Sequence, residues 1–558
     1  MFEQFAHYRN QSHMHVIGAS RSGKSRFLEY YMRELTERGD GYCLIDPHGD
    51  LAANQMKFNA LVKPRRRVIY INLSDPSWTI GLGTFSQTDA DKSTLAARGV
   101  DALIKGWGAQ NTNESPTLEK ISRALFHYAA TTGQTLPNAS LLLWPEHTAL
   151  REHAISITKN DEIRRVWMEL QSANAQRWDS ATLSTTNRLA RLLATDSIRR
   201  TISRKSGNVD LFKAMQQGAI IIVNLKASGH LDREAARVFA ALLLNEIFEA
   251  AMRRSELKPK TYTLILDEVA QYANPTIAAM LDQSAKAGLH VVLAHQHITQ
   301  LGENKELLMS ILTNCRIKVV FGGLPYEDAV RLAPEMFLPE INEDQIKHIT
   351  TRIVGRVREE TRVSYSKSES RISAESEAFG EADSFGDATG ITSGMALTEA
   401  GSATELSNTI NNTSFMSATS HMRGESRAEG TSYSESIVPF NSIYYEEEEA
   451  GREFYNLQEK VSLAAARLKH QEQRECWVKI LNEEAQQFVV PFVEPVELKP
   501  ERIERYRERV SLPEGAMRPE EIDRLAEEER RAFLDSFAPK QSEFSKRRAL
   551  TKSAGALR

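Results

Sequence analysis

The stretch from His15 to Ser25, HVIGASRSGKS, carries residues whose types and spacing suit phosphate chemistry. Gly18, Gly23, Lys24 and Ser25 fit the pattern Gly-x-x-x-x-Gly-Lys-Ser, in which a glycine-permissive loop directs backbone N–H groups at phosphates. Apolar residues before the loop and a helical pattern after it provide the strand–loop–helix context that the pattern requires. The lysine of such a loop contacts the β- and γ-phosphates, and the serine hydroxyl binds Mg²⁺. The predicted nucleotide-binding residues are Gly18, Ala19, Ser20, Arg21, Ser22, Gly23, Lys24, Ser25 and Arg26.

A second group of candidate residues follows two apolar segments further along the chain. Thr261 to Leu266 (TYTLIL) leads into Asp267 and Glu268. Downstream of a phosphate-binding loop, such a pair predicts a carboxylate that holds Mg²⁺ and a glutamate that orients and deprotonates the attacking water. Gln296 follows the next apolar run, LHVVLA, where an amide can contact the γ-phosphate. We therefore expect ATP and Mg²⁺ as cofactors.

A further acidic residue, Asp46, ends the short apolar segment GYCLI and opens the sequence DPHGDL. The carboxyl ends of strands in an open α/β sheet form the ligand crevice, so Asp46 is a candidate for that crevice. An ordinary Asx/Gly turn explains the same residues equally well. The sequence leaves both interpretations open.

Length and composition indicate a soluble protein of two or three compact units. The chain has 558 residues, of which 41% are hydrophobic and 26% charged, and a formal net charge of −4. Three widely spaced cysteines form neither a metal motif nor a disulfide framework. We find no apolar run that would span a bilayer and no signal-peptide pattern. The net charge does not indicate nucleic acid, so any DNA contact must come from local patches.

Changes in pattern along the chain predict its organisation. The pattern is helical from about residue 90 to residue 206 and rich in serine from about residue 361 to residue 438. The last sixty or so residues are highly charged. The predicted segments are a first core part (1–89), an all-α insertion (90–206), a second core part (207–360), a flexible Ser-rich segment (361–438), a helix plus β-hairpin (439–496) and a charged helical tail (497–558).

Three of these segments have two interpretations each. The insertion ends in a basic group, which is either a solvated helix face or a DNA contact: Arg188, Arg191, Arg199, Arg200, Arg204 and Lys205. The Ser-rich segment cannot bury enough apolar surface to offset its ordering entropy, so we expect flexibility, with an extended ribbon or helical pairing on assembly as the lesser alternative. The tail is either a solvated appendage or a surface for a partner or DNA.

The motifs GASRSGKS, LIDPHGDL, LILDEVAQYA and VVLAHQHITQL, in this order, resemble the HerA/FtsK superfamily of DNA-pumping ATPases. Within it, the chain is most similar to conjugative coupling proteins of type IV secretion, over about residues 10–345 and more loosely over 442–493. The resemblance implies an α/β fold with a RecA-like P-loop ATPase core and a mainly parallel sheet. It also implies a ring, usually a hexamer, that holds nucleotide between subunits and DNA in its channel.

By residue-level correspondence, the resemblance assigns family roles to Lys24, Ser25, Asp267, Glu268 and Gln296. It also exposes a departure. The family often places an arginine between the acidic pair and the glutamine, where it reaches the neighbour's γ-phosphate. This chain has Lys286 there, without the bidentate fork of a guanidinium, and Arg316 is the other candidate.

Location and function follow as expectations. The family's membrane-bound members have N-terminal transmembrane helices, whereas this chain begins its first strand almost at once. We therefore expect a bacterial cytoplasmic protein that either docks on a membrane secretion complex or serves another DNA transaction such as defence, segregation or end processing. The leading hypothesis is an ATP-dependent DNA translocase. The alternative is a nucleotide-dependent switch or scaffold that recruits a nuclease or another protein through the Ser-rich segment or the tail.

Overall fold

The computed structural model describes residues 2–75, 77–83, 116–254, 259–301, 305–372, 384–397, 403–416 and 428–537, together with scattered helical residues between 92 and 104. The chain divides into two units. The first comprises residues 1–345 and 455–558, and the second comprises residues 346–454.

A nine-stranded sheet forms the centre of the first unit. Its strands are β1 (Met14–Ile17), β2 (Tyr42–Asp46), β3 (Val68–Asn72), β4 (Ile220–Asn224), β5 (Tyr262–Leu266), β6 (Leu289–His295), β7 (Ile317–Phe321), β12 (Glu475–Ile480) and β13 (Gln486–Val489). The spatial order is β13-β12-β7-β1-β6-β5-β2-β4-β3. The strands from β7 to β3 are parallel, whereas β12 pairs antiparallel with β7 and β13.

Helices cover both faces of this sheet, which explains why its parallel strands are continuous apolar runs. The helices before β4 are α1 (Phe2–Tyr8), α2 (Lys24–Arg38), α3 (Asp50–Val62), α4 (Pro116–Thr132), α5 (Leu136–Ser140), α6 (Thr148–Ile157), α7 (Asp161–Gln171), α8 (Ala175–Ala194), α9 (Asp196–Ile202) and α10 (Leu211–Gln216). Those after it are α11 (Arg233–Arg254), α12 (Pro275–Gln283), α13 (Lys305–Asn314), α14 (Tyr326–Asn342), α15 (Leu457–Lys469), α16 (Pro500–Ser511) and α17 (Pro519–Asp535). Alternate strand residues enter different hydrophobic cores: Leu44 belongs to the core that includes residues of α2 and α3, and Ile45 belongs to the core that includes residues of α4 and α11.

This architecture confirms the predicted α/β class with a mainly parallel sheet and an all-α insertion. Strand β1, which leads into the phosphate loop, is separated from β5, which leads into the acidic pair, by β6 alone. All three strands run in one direction, so their carboxyl ends meet at one edge. Residues 90–115 of the predicted insertion lie almost entirely outside the described residues.

The C-terminal region differs from the expected separate element and solvated tail. The predicted hairpin is present as β12 and β13, but it extends the main sheet through β7. Helices α16 and α17 pack on the first unit because Tyr506, Ile522 and Phe533 are buried there. Ion pairs join the tail to distant residues: Arg67 with Glu514, Arg507 with Asp75, and Arg200 with Asp523.

The second unit contains paired strands where we expected a flexible Ser-rich segment. Strands β8 (Ile346–Ile372) and β11 (Ala428–Phe454) form a long antiparallel ribbon, and β9 (Ser384–Leu397) pairs with β10 (Ala403–Met416). The lesser alternative, an extended ribbon, therefore describes these residues. The physical reason is that antiparallel pairing satisfies backbone hydrogen bonds without a buried core, and β-branched and aromatic residues in β8 and β11 favour it. Residues 373–383, 398–402 and 417–427 of the segment lie outside the described residues.

Candidate functional site

The phosphate loop lies between β1 and α2 and has the close backbone packing that its glycines permit. Gly23 has φ 118°, a conformation that favours glycine, and Lys24 begins α2 directly after it. A Cβ at Gly18 would lie 2.4 Å from Cβ of Phe321, on the neighbouring strand. The N-terminus of α2 thus opens at the carboxyl edge of the sheet, where its N–H groups favour an anion.

Three predicted site residues make direct contact at this edge. Nζ of Lys24 lies 2.8 Å from Oε1 of Glu268, and Nε2 of Gln296 donates to the same oxygen at 3.2 Å. The Lys24 and Glu268 side chains are only 5% and 9% exposed. They belong to residues 244 positions apart, so the fold alone brings them together.

The backbone of Glu268 is itself unusual. Its φ of 44° and ψ of 50° place a non-glycine residue in the left-handed region, immediately after β5 and before the short 3₁₀ turn Val269–Gln271. Such conformations cost about 1–3 kcal/mol and persist where surrounding structure enforces them, typically at functional sites. The turn redirects the chain so that the Glu268 carboxylate meets Lys24.

Asp267 is a buried carboxyl group whose surroundings suit a bound cation. Burial, followed by the nearby charge of Asp46, raises its pKa to about 7, while Lys24 acts in the opposite direction. Its Oδ1 atom is buried and accepts no hydrogen bond from the described part of the chain. A buried oxygen without a partner normally costs free energy, and a bound ion would satisfy it.

Asp46 is the acidic residue whose role the sequence left open, and the structure combines both interpretations. Its two oxygens accept hydrogen bonds from the N–H groups of His48 and Ala52, at 2.9 and 2.8 Å. The turn predicted by the local sequence is therefore present. The same carboxylate is fully buried at the end of β2, beside β5, and burial raises its pKa.

A cleft of about 500 Å³ opens beside these residues. Its lining includes Ser25, Arg26, Asp46, His48, Asp267 and Glu268. Carboxylate and hydroxyl oxygens are the ligands that Mg²⁺ accepts in phosphate-binding sites, where most other ligands come from water and the phosphates themselves. Ser25 and the unpartnered Oδ1 of Asp267 therefore fit a magnesium ion bound with a nucleotide.

Two further buried groups near the site were not predicted from the sequence. Glu29 on α2 accepts hydrogen bonds from Arg26 at 2.7 Å and Arg33 at 2.6 Å, and it lines the cleft. The i, i+3 and i, i+4 spacing of these residues within a helix is the signal that could have identified the cluster.

A buried pair of histidines links β1 to β6, on the strand residues that come shortly before the loop and Gln296. Nε2 of His15 lies 2.7 Å from Nε2 of His295, and Nδ1 of His295 lies 3.0 Å from the carbonyl oxygen of His297. If His295 donates through Nδ1, its Nε2 must accept from His15. Burial lowers the pKa of both imidazoles, that of His295 to about 4, so the pair is neutral at physiological pH.

The two candidate trans-acting residues do not lie in the cleft of their own chain. Lys286 is exposed in the turn before β6, and Arg316 is exposed before β7, where Nη2 donates to Oδ1 of Asn482 at 3.1 Å. Both precede parallel strands, so they lie at the amino edge of the sheet. The seven residues of β6 separate that edge from Gln296 by roughly 20 Å.

Comparison with known families tests the expected resemblance. Residues 261–334 match the model described as the TraM recognition site of TraD and TraG. The matched stretch includes Asp267, Glu268 and Gln296. The chain is similar to conjugative coupling proteins. The resemblance expected from the motifs is thus confirmed, with the family model covering residues 261–334.

Solved structures of a conjugative coupling protein and of VirB4 show distant similarity to this chain. The bacterial conjugative coupling protein TrwBΔN70, in an unbound form, is 15% identical with a TM-score of 0.47, covering 88% of this chain and 87% of that chain. TrwB in complex with ADP and Mg²⁺ is 19% identical with a TM-score of 0.42, covering 59% and 74%. VirB4 of Thermoanaerobacter pseudethanolicus is 11% identical with a TM-score of 0.35, covering 58% and 80%. No curated protein matches the chain.

Proposed function

We propose that this protein is an ATP-dependent DNA translocase of the coupling-protein type. The observation that carries the proposal is the convergence of Lys24 and Gln296 on one oxygen of the buried Glu268 carboxylate, beside a cleft that Ser25 and Asp267 line. The family match over residues 261–334 supports the same class of protein. ATP and Mg²⁺ are the cofactors that the loop and the acidic pair suit.

In this proposal Lys24 changes its partner when nucleotide binds. Without phosphate, its ammonium is paired with Glu268. The β- and γ-phosphates carry more charge and lie where the loop N–H groups converge, so Lys24 would turn to them. Mg²⁺, held by Ser25 and Asp267, would supply charge neutralisation for the phosphates. Arg26 and the backbone of the loop would complete the phosphate contacts.

The same exchange would activate the base. Once Lys24 leaves, the Glu268 carboxylate is free to orient and deprotonate the attacking water. Gln296 already contacts Glu268, so its amide would sense whether the γ-phosphate is present. The left-handed backbone at Glu268 would hold the carboxylate at the cleft throughout. The nucleotide-free arrangement is therefore a resting state.

In this proposal several subunits together move the DNA. We propose a ring of identical chains, a hexamer by analogy with the family, with the trans-acting cation contributed by a neighbour. Lys286 and Arg316 stay candidates for this role because both are exposed and lie outside their own cleft. Contacts to DNA would be made to phosphates and would weaken with salt.

The cellular location that we propose for the protein is the cytoplasm, at or near a secretion complex. Among the described residues, no helix is both long enough and apolar enough to cross a membrane.

A nucleotide-dependent switch is the second candidate, and one observation favours it. The basic group predicted as a DNA contact is partly engaged by the tail: Arg200 pairs with Asp523, and Nη1 of Arg204 donates to the carbonyl oxygen of Gly515. Those side chains are less available for DNA than the sequence suggests. The matched family model is described by recognition of a protein, TraM, which is compatible with a protein partner for this chain.

ATP hydrolysis measured with and without DNA distinguishes the two candidates. A translocase should hydrolyse ATP several-fold faster with DNA, and the stimulation should decline steeply as salt rises. A switch should respond to a protein partner and ignore DNA. Glu268→Gln must abolish both basal and stimulated activity, which shows that the measured hydrolysis belongs to this site.

A further inference from the structure

The ribbon formed by β8 and β11 has two chemically different faces. Directly opposed residues of an antiparallel pair share a face, and successive residues alternate between faces. The apolar face comprises Ile353, Gly355, Val357, Glu359, Thr361, Val363 and Tyr365 with their partners Glu447, Tyr445, Ile443, Asn441, Pro439, Ile437 and Glu435. The arginine face comprises Arg352, Val354, Arg356, Arg358, Glu360 and Arg362 with Glu448, Glu446, Tyr444, Ser442, Phe440 and Val438.

The apolar face is exposed to an extent that needs explanation. Seven of its large side chains are 41–76% exposed: Ile353, Val357, Val363, Tyr365, Ile437, Ile443 and Tyr445. Together they expose on the order of several hundred Å² of contiguous apolar surface, an extent that typically marks an interaction site. A two-stranded ribbon is also marginally stable alone in water. This face needs a covering surface.

Charge identifies which surface fits. Between Ile353 and Tyr365 and across their partners, the apolar face carries three glutamates, Glu359, Glu435 and Glu447, and no basic residue; the next pair on this face adds Lys367 beside Tyr433. Two copies stacked by their apolar faces would oppose glutamate to glutamate, which is unfavourable. The arginine face has the opposite balance. Arg352 and Arg356 pair with Glu446 and Glu448.

Arg358 and Arg362 remain available on that face. Both are exposed, and neither forms an ion pair within the described part of the chain. Val354, Val438, Phe440 and Tyr444 lie among them and provide apolar contact area. The arginine face of a second ribbon therefore complements the apolar face in both charge and hydrophobicity.

We propose that ribbons of neighbouring copies of this chain stack face to back, the apolar face of one against the arginine face of the next. Such an interface uses two different surfaces, so a rotation that repeats it can close into a ring. The inference concerns a surface outside the nucleotide site and does not depend on the proposed ATPase activity. It assigns the part of the ribbon formed by residues 352–365 and 435–448 a role in self-association.

Charge reversal in two separate full-length variants tests this pairing. One carries Glu359→Arg and Glu447→Arg on the apolar face, and the other carries Arg358→Glu and Arg362→Glu on the arginine face. Each variant alone opposes like charges in a face-to-back stack and should lose at least tenfold in ribbon crosslinking. An equimolar mixture places arginine against glutamate at every contact and should regain it. Recovery in the mixture also shows that both variants fold.

Crosslinking reports the ribbon contact independently of other contacts between copies. Val357→Cys marks the apolar face and Glu360→Cys marks the arginine face, and a bismaleimide of about 10 Å matches the spacing of stacked sheets. The native cysteines, Cys43, Cys315 and Cys476, are all buried. When chains carrying the two substitutions are mixed without nucleotide, the main products should join the apolar-face thiol of one chain to the arginine-face thiol of another.

Three outcomes would overturn the proposal. They are products that mainly join two apolar-face thiols, no ribbon crosslink at all, or a charge-reversed mixture that stays apart. Leu183→Ser with Met309→Ser removes apolar side chains of comparable exposure elsewhere in the chain and should change nothing.

Discussion

Lys24 and Glu268 form a buried ion pair at 2.8 Å, although each is predicted to act on a different part of the nucleotide. Pairing them in the nucleotide-free chain satisfies two charges that would otherwise be costly to bury. It also holds the proposed base inactive until phosphate attracts the lysine.

Glu268→Gln should bind ATP with nearly unchanged affinity but hydrolyse it at least 100-fold more slowly. The amide keeps the size of the side chain and can still accept from Lys24, but it cannot take a proton, and general-base catalysis is worth about 10²–10⁴-fold. Single-turnover hydrolysis and equilibrium binding of labelled ATP measure the two effects separately. Glu37→Gln, on the exposed part of α2, is the matched control. Hydrolysis at the wild-type rate in Glu268→Gln would exclude this residue as the base.

Lys24→Met should lower the free energy of unfolding by about 3–5 kcal/mol, because it leaves the Glu268 carboxylate buried without its partner. The double variant Lys24→Met/Glu268→Gln removes both charges and should recover most of that loss. Urea unfolding without nucleotide measures all three proteins. Equal destabilisation of the single and double variants would show that the pair contributes little in the free protein.

Asp267 should make the free protein less stable as pH rises. Its pKa is about 7 in the folded chain and about 3.9 when unfolded, so between these values the folded state holds a proton that the unfolded state has released. The free energy of unfolding therefore falls as pH rises through this window and levels off above it.

Asp267→Asn removes this contribution. Relative to the wild type, the variant should gain roughly 2–4 kcal/mol between pH 4 and pH 8, at about 1.4 kcal/mol per pKa unit. Urea unfolding across that range, without Mg²⁺ or nucleotide, measures the difference. The exposed Asp179→Asn should follow the wild type. A constant offset between wild type and Asp267→Asn would show that Asp267 is ionised throughout.

Asp523→Ala should reduce the stability of the helical insertion by about 1 kcal/mol. The Asp523 carboxylate accepts hydrogen bonds from Nε and Nη2 of Arg200 at 2.7–3.1 Å. Such a bidentate pair contributes more to the free energy of unfolding than a single exposed ion pair does. Hydrogen exchange in residues 196–202 should increase. Glu528→Ala, on the exposed surface of α17, should leave exchange in that helix unchanged.

The sequence predicted those parts of the molecule whose signal is local. The loop motif fixes Lys24 and Ser25, and two apolar runs that end in polar residues fix Asp267, Glu268 and Gln296 at one edge of a parallel sheet. The residue roles themselves stay predictions until activity is measured.

Long-range pairing could not be predicted in the same way. Arg200 and Asp523 are 323 residues apart, and neither lies in a pattern that names its partner. The same holds for His15 and His295, which meet only because β1 and β6 are neighbours in register. In the Ser-rich region, composition indicates low apolar content, but it does not reveal that β8 and β11 satisfy one another's backbone.

The His15–His295 pair should show strong energetic coupling. His15→Leu leaves Nε2 of His295 buried without its partner, and the reverse substitution does the same to His15, so each should cost about 1–3 kcal/mol for the unsatisfied group. The double leucine variant removes both polar groups, and its cost should be smaller than the sum by roughly 0.5 kcal/mol or more. His13 and His290 provide a comparison cycle, since the two rings stack where β1 begins beside β6 but are not hydrogen-bonded to each other. They bind separate carbonyl oxygens, those of Leu281 and Ser12, and His13 also accepts from the Val291 N–H. Their cycle should be closer to additive when all variants are compared by urea unfolding. Additivity in the His15–His295 cycle would mean that the hydrogen bond between the two rings does not stabilise the pairing of β1 with β6.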